Sequence, residues 1–156
     1  MDVAAMGELV MAGFQKLGFI RYAGITGVDF AAGRNVVALD PKPEHLNHNG
    51  DLHAAVLFGL AETAAMGAAV SGIGDLMGES FVVARDGRIA YRARAAGKAG
   101  PYRATGEFSD EVLERMRADI AARTDVELEV PVRIVDGDDN LVAEAAFTAV
   151  IRPRRK

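Results

Sequence analysis

A chain of 156 residues, half of them hydrophobic and 26% charged, has the balance of a single globular domain, 1–156, long enough to enclose a helix and a sheet in one core. A formal net charge of −4 argues against nucleic acid as a partner, and the absence of cysteine excludes thiol catalysis, disulfides and cysteine-ligated zinc. The opening MDVAAMGELVMAGFQKLG lacks a basic start and is interrupted by Glu8, and Glu62 divides the one long apolar stretch, so neither a secretory signal nor a membrane span is expected and the expected location is cytoplasmic.

Val3, Met6, Leu9, Val10, Phe14 and Leu17 recur at helical spacing, which predicts a first helix closed by Gly18. Two strands are expected next, about 19–30 and 34–40, and a loop with Pro41 and Pro43 then leads into an apolar helix over about 53–72. In RIAYRARAA, Ile89, Tyr91, Ala93 and Ala95 alternate with Arg88, Arg92 and Arg94 as on a strand. A strand near 101–108 follows, then a helix capped by Ser109 or Asp110 with Val112, Leu113, Met116 and Ile120 as its apolar stripe. VELEVPVRI alternates cleanly, turns at DGDDN and returns as LVAEAAFTAVI, a terminal antiparallel hairpin in which Pro131 implies an edge or a bulge. One long apolar helix ahead of mostly antiparallel strands is an α+β order, with the sheet wrapped around the helix.

The chemistry concentrates in NHNGDLHAAVLFGLAE, residues 47–62. Glu62 has Phe58, Gly59, Ala65 and Met66 within a turn and no base at helical spacing. It lies either on a narrow solvated stripe or in an apolar cleft, where its pKa would rise and it could act as base or nucleophile. His45, His48 and His53 fall within nine residues, but their spacing is not that of the H-E-x-x-H helix, so no metal is assigned. The Ala54 and Ala55 amides sit in the first helical turn, where unpaired N–H groups and the positive end of the dipole suit a developing oxyanion.

Asn47, Gly50, the His53–Ala54–Ala55 run and an acid nine residues after that histidine resemble the hotdog-fold acyl-CoA thioesterases of the PaaI-like group. The match is most specific over residues 45–67. It implies a hotdog fold and hydrolysis of an acyl-CoA thioester without a cofactor. By position, Glu62 would be the catalytic carboxylate, Asn47 would place the water or thioester, the Ala54 and Ala55 amides would polarise the carbonyl, and His53 would orient the turn. The group's usual pair of glycines is Ala54–Ala55 here, and its usual Asp is Glu62. His48, fourteen residues before Glu62, resembles the spacing of 3-hydroxyacyl-carrier-protein dehydratases, whose proline-rich loop is missing; a non-catalytic acyl-binding hotdog protein is the third alternative.

From 84 to 104 there are six bases against Asp86, and from 104 to 144 twelve acids against four bases. The basic run is either a solvated face or, in the fold the resemblance implies, a surface on which Arg88, Arg92 and Arg94 meet the phosphates of coenzyme A. From His53 to Glu62 the helix rises about 13 Å and turns half a turn past two full turns, which predicts that the helix start and the carboxylate of one chain cannot grip one carbonyl. The resemblance implies a homodimer or a dimer of dimers, a homotetramer, which would supply the missing half from a partner.

Overall fold

The computed structural model describes residues 3–154, with side chains from Glu8 onward, so the side chains of the expected apolar positions Val3 and Met6 and the end of the basic tail lie outside what is described. Helix α1 (Val3–Phe14) ends earlier than its pattern predicts. Gly18 does not close it. Gly18 opens a second helix, α2 (Gly18–Ala23), and the closing glycine is Gly24, left-handed at φ 69° with its N–H directed to the carbonyls of Ile20 and Arg21. Residues 19–23 are therefore helical where a strand was expected, because Ile20 and Ala23, three apart, bury on one face.

Strands β1 (Ile25–Ala31) and β2 (Arg34–Leu39) form an antiparallel hairpin. Helix α3 (Ala54–Ile73) follows, then β3 (Ser80–Tyr91), β4 (Tyr102–Glu107), α4 (Asp110–Ala121), β5 (Val126–Val135) and β6 (Leu141–Pro153). The strand expected in RIAYRARAA starts earlier, at Ser80, and stops at Tyr91. Beyond it the N–H groups of Arg92 and Ala93 converge on the Val142 carbonyl, so the ladder ends and residues 92–95 leave the alternation. All neighbouring strands are antiparallel, in the order β1-β2-β4-β5-β6-β3. Val126, Leu128, Val130, Val132 and Ile134 point inward along β5 as their alternation predicts. Pro131 needs neither an outer edge nor a bulge of its own. β5 pairs with β4 only over Val132–Val135, so Pro131 lies where the β4 side is already open.

The sheet curls around α3, which touches all six strands. Over Ala54–Glu79 the mean hydropathy reaches 1.6, enough by length and composition to cross a bilayer, but 67% of that apolar window is buried, which accounts for its character as a core helix. Ala61, Ala64, Ala65 and Ala68 are wholly buried and let the helix approach closely. Backbone meets backbone at Gly106 of β4, where a Cβ would fall 2.6 Å from the Ala64 carbonyl oxygen. Asn35 of β2, also buried, donates its side-chain amide to the carbonyls of Thr63 and Ala64 at 3.3 and 3.4 Å. At the far end, Arg117 of α4 donates to the Gly72 and Ile73 carbonyls and pairs with Asp75, closing the helix where its carbonyls lack partners. Ser109 caps α4 by accepting the Val112 N–H, and Met116 and Ile120 bury the stripe expected of it.

The Gly106 contact is backbone against backbone, so no side chain can rotate away to relieve it. Gly106→Ala should therefore destabilise the fold by about 1–3 kcal/mol through overpacking. Urea denaturation measures this directly, and an unchanged midpoint would mean that helix and sheet are not seated as described.

Candidate active site

The loop before α3 is tied down at several points. Asn47 accepts the N–H groups of Asn49 and Asp51 at its side-chain oxygen, 2.8 and 3.3 Å away, which folds the loop into a tight turn and leaves the Asn47 amide NH₂ without an acceptor among the described residues. The Leu52 N–H bonds to the Ala95 carbonyl and the Gly97 N–H to the Gly50 carbonyl. Arg94 grips Asp51 with two bonds of 3.0 and 2.9 Å. The loop is thus stapled to the chain just past β3, and His53, its last residue, becomes the N-cap of α3.

The His53 Nδ1 accepts the Ala55 N–H at 3.1 Å, so that amide is already capped. The Ala54 N–H has no partner among the described residues. Neither alanine has a positive φ, so Ala54–Ala55 requires no glycine conformation. Tyr91, at the end of β3, donates its hydroxyl to the Ala54 carbonyl at 3.2 Å, and burial raises its pKa. Nothing in the sequence pointed to Tyr91, because its position depends on the end of β3 lying beside the start of α3.

Glu62 lies in mid-helix on the side of α3 that the sheet leaves uncovered. Ala55, Gly59, Glu62, Met66 and Val70 recur at helical spacing there and are all at least partly exposed. Glu62 is partly buried, forms no ion pair among the described residues, and has its pKa raised by desolvation alone. Ala55 and Glu62 are seven residues apart, which places them on one face and separates them by about 10 Å of rise. The separation of helix start and carboxylate is therefore axial, not the half-turn opposition expected from His53.

The expected arginines do not stand free. Arg88 makes a two-bond pair with Glu129, Arg92 pairs with Glu144, and Arg94 holds Asp51. His45 is buried, His48 is exposed in the loop and His53 caps the helix; no metal-binding cluster occurs among the described residues. A cleft of about 400 Å³ opens against the helix start, lined by Phe19, Tyr22 and Ala23 of α2, by Lys42, Glu44 and His45 of the loop, and by Ala55 and Val56 of α3. Glu62 is not part of its wall.

The family described as Domain of unknown function (DUF4442) matches residues 7–151, and the chain belongs to it. No curated protein sequence is significantly similar to the chain. Among solved structures, a protein of unknown function from Pseudomonas aeruginosa described as a probable thioesterase superposes with a TM-score of 0.79 at 19% identity, covering 94% of this chain and 95% of its own. AziG from S. sahachiroi gives a TM-score of 0.73 at 20% identity, with 88% and 98% covered. The E. coli PaaI protein from the phenylacetic acid degradation operon gives 0.72 at 16%, with 99% and 97% covered. At these identities the likeness establishes the fold, and the fold is the hotdog.

Burial gives Glu62 a measurable signature. Its folded pKa lies above the usual 4.5, so the stability it contributes is fully present below the usual carboxylate range and is lost as pH rises through the raised value. Relative to Glu62→Gln, the wild type should therefore be least stable near neutral pH and should recover as pH falls toward 4. Urea denaturation of both proteins across this range measures the difference; a slope of opposite sign would mean that Glu62 is paired with a cation.

Proposed function

We propose that this protein is a thioester hydrolase acting on acyl-CoA or a related acyl thioester, with Glu62 as its catalytic carboxylate. The observation that carries the reading is Glu62 itself: an acid with no cationic partner, partly desolvated, on the uncovered stripe of the central helix. The fold, shared with proteins described as thioesterases, supports the class of reaction.

In the reaction, the Glu62 carboxylate takes a proton from water as the water oxygen bonds to the thioester carbonyl carbon. The carbonyl π electrons move to oxygen, where the Ala54 N–H and the free Asn47 amide donate to the oxyanion. Collapse restores the C=O bond and breaks the C–S bond, and the proton held on Glu62 passes to the departing thiolate. The raised pKa brings Glu62 closer to the operating pH, which suits a general base.

One chain does not bring these parts together. The cleft that reaches Ala55 excludes Glu62, and about 10 Å of helix separates the two. The complete site is therefore shared between two copies, with Asn47 and the helix start of one facing Glu62 of the other. Strand β3 supports such pairing: its outer edge is unpaired over Ser80–Tyr91, and it exposes Phe81 and Val83.

Glu62→Gln should reduce thiol release from acyl-CoA by about 10²- to 10⁴-fold while the protein stays folded. Full activity in a folded variant would remove Glu62 from the mechanism, and formation of an enoyl product from a 3-hydroxyacyl substrate would favour a dehydratase instead. A second test addresses the shared site. Asn47→Ala and Glu62→Ala, each inactive alone, should regain about a quarter of wild-type activity when unfolded, mixed and refolded, since half of randomly paired dimers are hybrids with one intact site. A mixture that forms hybrids and stays inactive would refute the two-chain site.

A further inference from the structure

The first turn of α3 is shaped by its own bonds but placed by the sheet. The His53 carbonyl accepts the N–H groups of Val56 and Leu57 at 2.9 and 3.3 Å, and the His53 Nδ1 accepts that of Ala55 at 3.1 Å. These bonds define the turn and leave the Ala54 N–H unpaired among the described residues. They also move with the turn, so they do not settle where it lies. Leu57 buries the inner side, but Ala54 and Ala55 are exposed. On their side the hold comes from Tyr91, whose hydroxyl donates to the Ala54 carbonyl at 3.2 Å.

Tyr91 is itself fixed by the strand. It is the last residue of β3, it pairs with Ala143 of β6, and the next residue, Arg92, bonds to the Val142 carbonyl. Phe58, one turn on from Ala54, braces the same face of the helix by meeting Phe147 of β6 edge-on at 5.0 Å. Burial raises the Tyr91 pKa, so the hydroxyl keeps its proton and remains a donor. Strand β3 is also an outer strand of the sheet, the one whose open edge supports pairing with a second copy. A bond from this strand to the helix start therefore sets the Ala54 N–H in register with the edge that the second copy meets.

Building on the thioester hydrolase reading, we propose that Tyr91 is a positioning residue for the hydrolysis. Its hydroxyl does not touch the substrate. It holds the Ala54 carbonyl, and through it the Ala54 N–H, at the point where the oxyanion forms opposite Glu62 of the second copy. The N–H and C=O of one residue are separated by only two soft dihedral angles, so a turn that slips on the sheet carries the donor off the oxyanion without unfolding anything. A displacement of about 1 Å from productive geometry costs up to about 10²-fold in rate. Removing the hydroxyl alone frees the turn while the ring and the strand stay in place.

The test is Tyr91→Phe, assayed for thiol release from acetyl-, octanoyl- and benzoyl-CoA and paired with infrared spectroscopy of the bound carbonyl. On the thioester turned over fastest, kcat should fall about ten- to a hundredfold while KM stays within about twofold, because the misplaced donor acts mainly in the transition state. For the spectroscopy the thioester carries an isotope label at its carbonyl carbon, and the protein carries Glu62→Gln so that the bound thioester stays intact. In Glu62→Gln the carbonyl band should lie below its frequency in solution, since the Ala54 N–H polarises it; adding Tyr91→Phe should return it at least halfway. A loss of kcat that only follows the folded fraction, with the band unmoved, would overturn the proposal. So would an unchanged kcat, or a raised KM with kcat retained, which would make Tyr91 a substrate contact. Hydrolysis that persists in Glu62→Gln removes Glu62 from the mechanism and leaves the kcat comparison at Tyr91 standing. If none of the three thioesters is hydrolysed, the hydrolase reading fails and the band alone decides: a downshift lost in Tyr91→Phe upholds the positioning role, and a band at the solution frequency before that change refutes it.

Discussion

Everything in this structure depends on how closely the central helix is drawn onto the sheet. Gly106 lies against the backbone of Ala64, and the buried amide of Asn35 reaches the carbonyls of Thr63 and Ala64 beside it. Such an approach is open only to a helix whose inner face is made of small residues, and the buried alanines at 61, 64, 65 and 68 supply that face. A six-stranded sheet curled around one helix cannot enclose its whole circumference, and the remainder is the stripe from Ala55 to Val70. Glu62 occupies the middle of it. The same seating that stabilises the core thus fixes a carboxylate where it is partly desolvated and has no ion-pair partner among the described residues, and that desolvation is the physical origin of its raised pKa.

The helix is also fixed along its axis. At its start, His53 caps the first turn, Tyr91 holds the Ala54 carbonyl, and the pair between Arg94 and Asp51 anchors the preceding loop. At its end, Arg117 takes the last carbonyls. A shift along the axis would break bonds at both ends at once. Positioning within a few tenths of an ångström is what a preorganised site requires, and here it comes from ordinary caps and staples rather than from a strained backbone.

The sequence made much of this legible. The length of α3, the alternation of β5, the cap at Ser109 and the terminal hairpin each rest on a local period or turn that survives in the fold. It misled where the local signal was short: residues 19–23 are rich in β-forming side chains, and the helix there is decided by the burial of Ile20 and Ala23 on one face and by the stop at Gly24. The unpaired acid at 62 stood out for lack of any base at helical spacing, and that held in three dimensions. Tyr91 and the use of Arg94 as a staple were out of reach, because each depends on segments distant in the chain coming together.

The basic run shows how tertiary pairing changes the meaning of charge. Arg85, Arg88 and Arg92 on and just after β3 stand opposite Glu127, Glu129 and Glu144 on β5 and β6, so the basic and acidic segments of the chain neutralise one another across the sheet. Exposed pairs of this kind contribute only about 0–1 kcal/mol each, so they do little for stability. Their larger effect is on recognition, since a phosphate arriving at this face must displace a carboxylate that already satisfies the guanidinium. At the other end of the molecule, the α2–α3 cleft carries both signs as well: Lys42, which forms no ion pair among the described residues, shares its wall with the Glu44 carboxylate, so neither face offers a field of one sign.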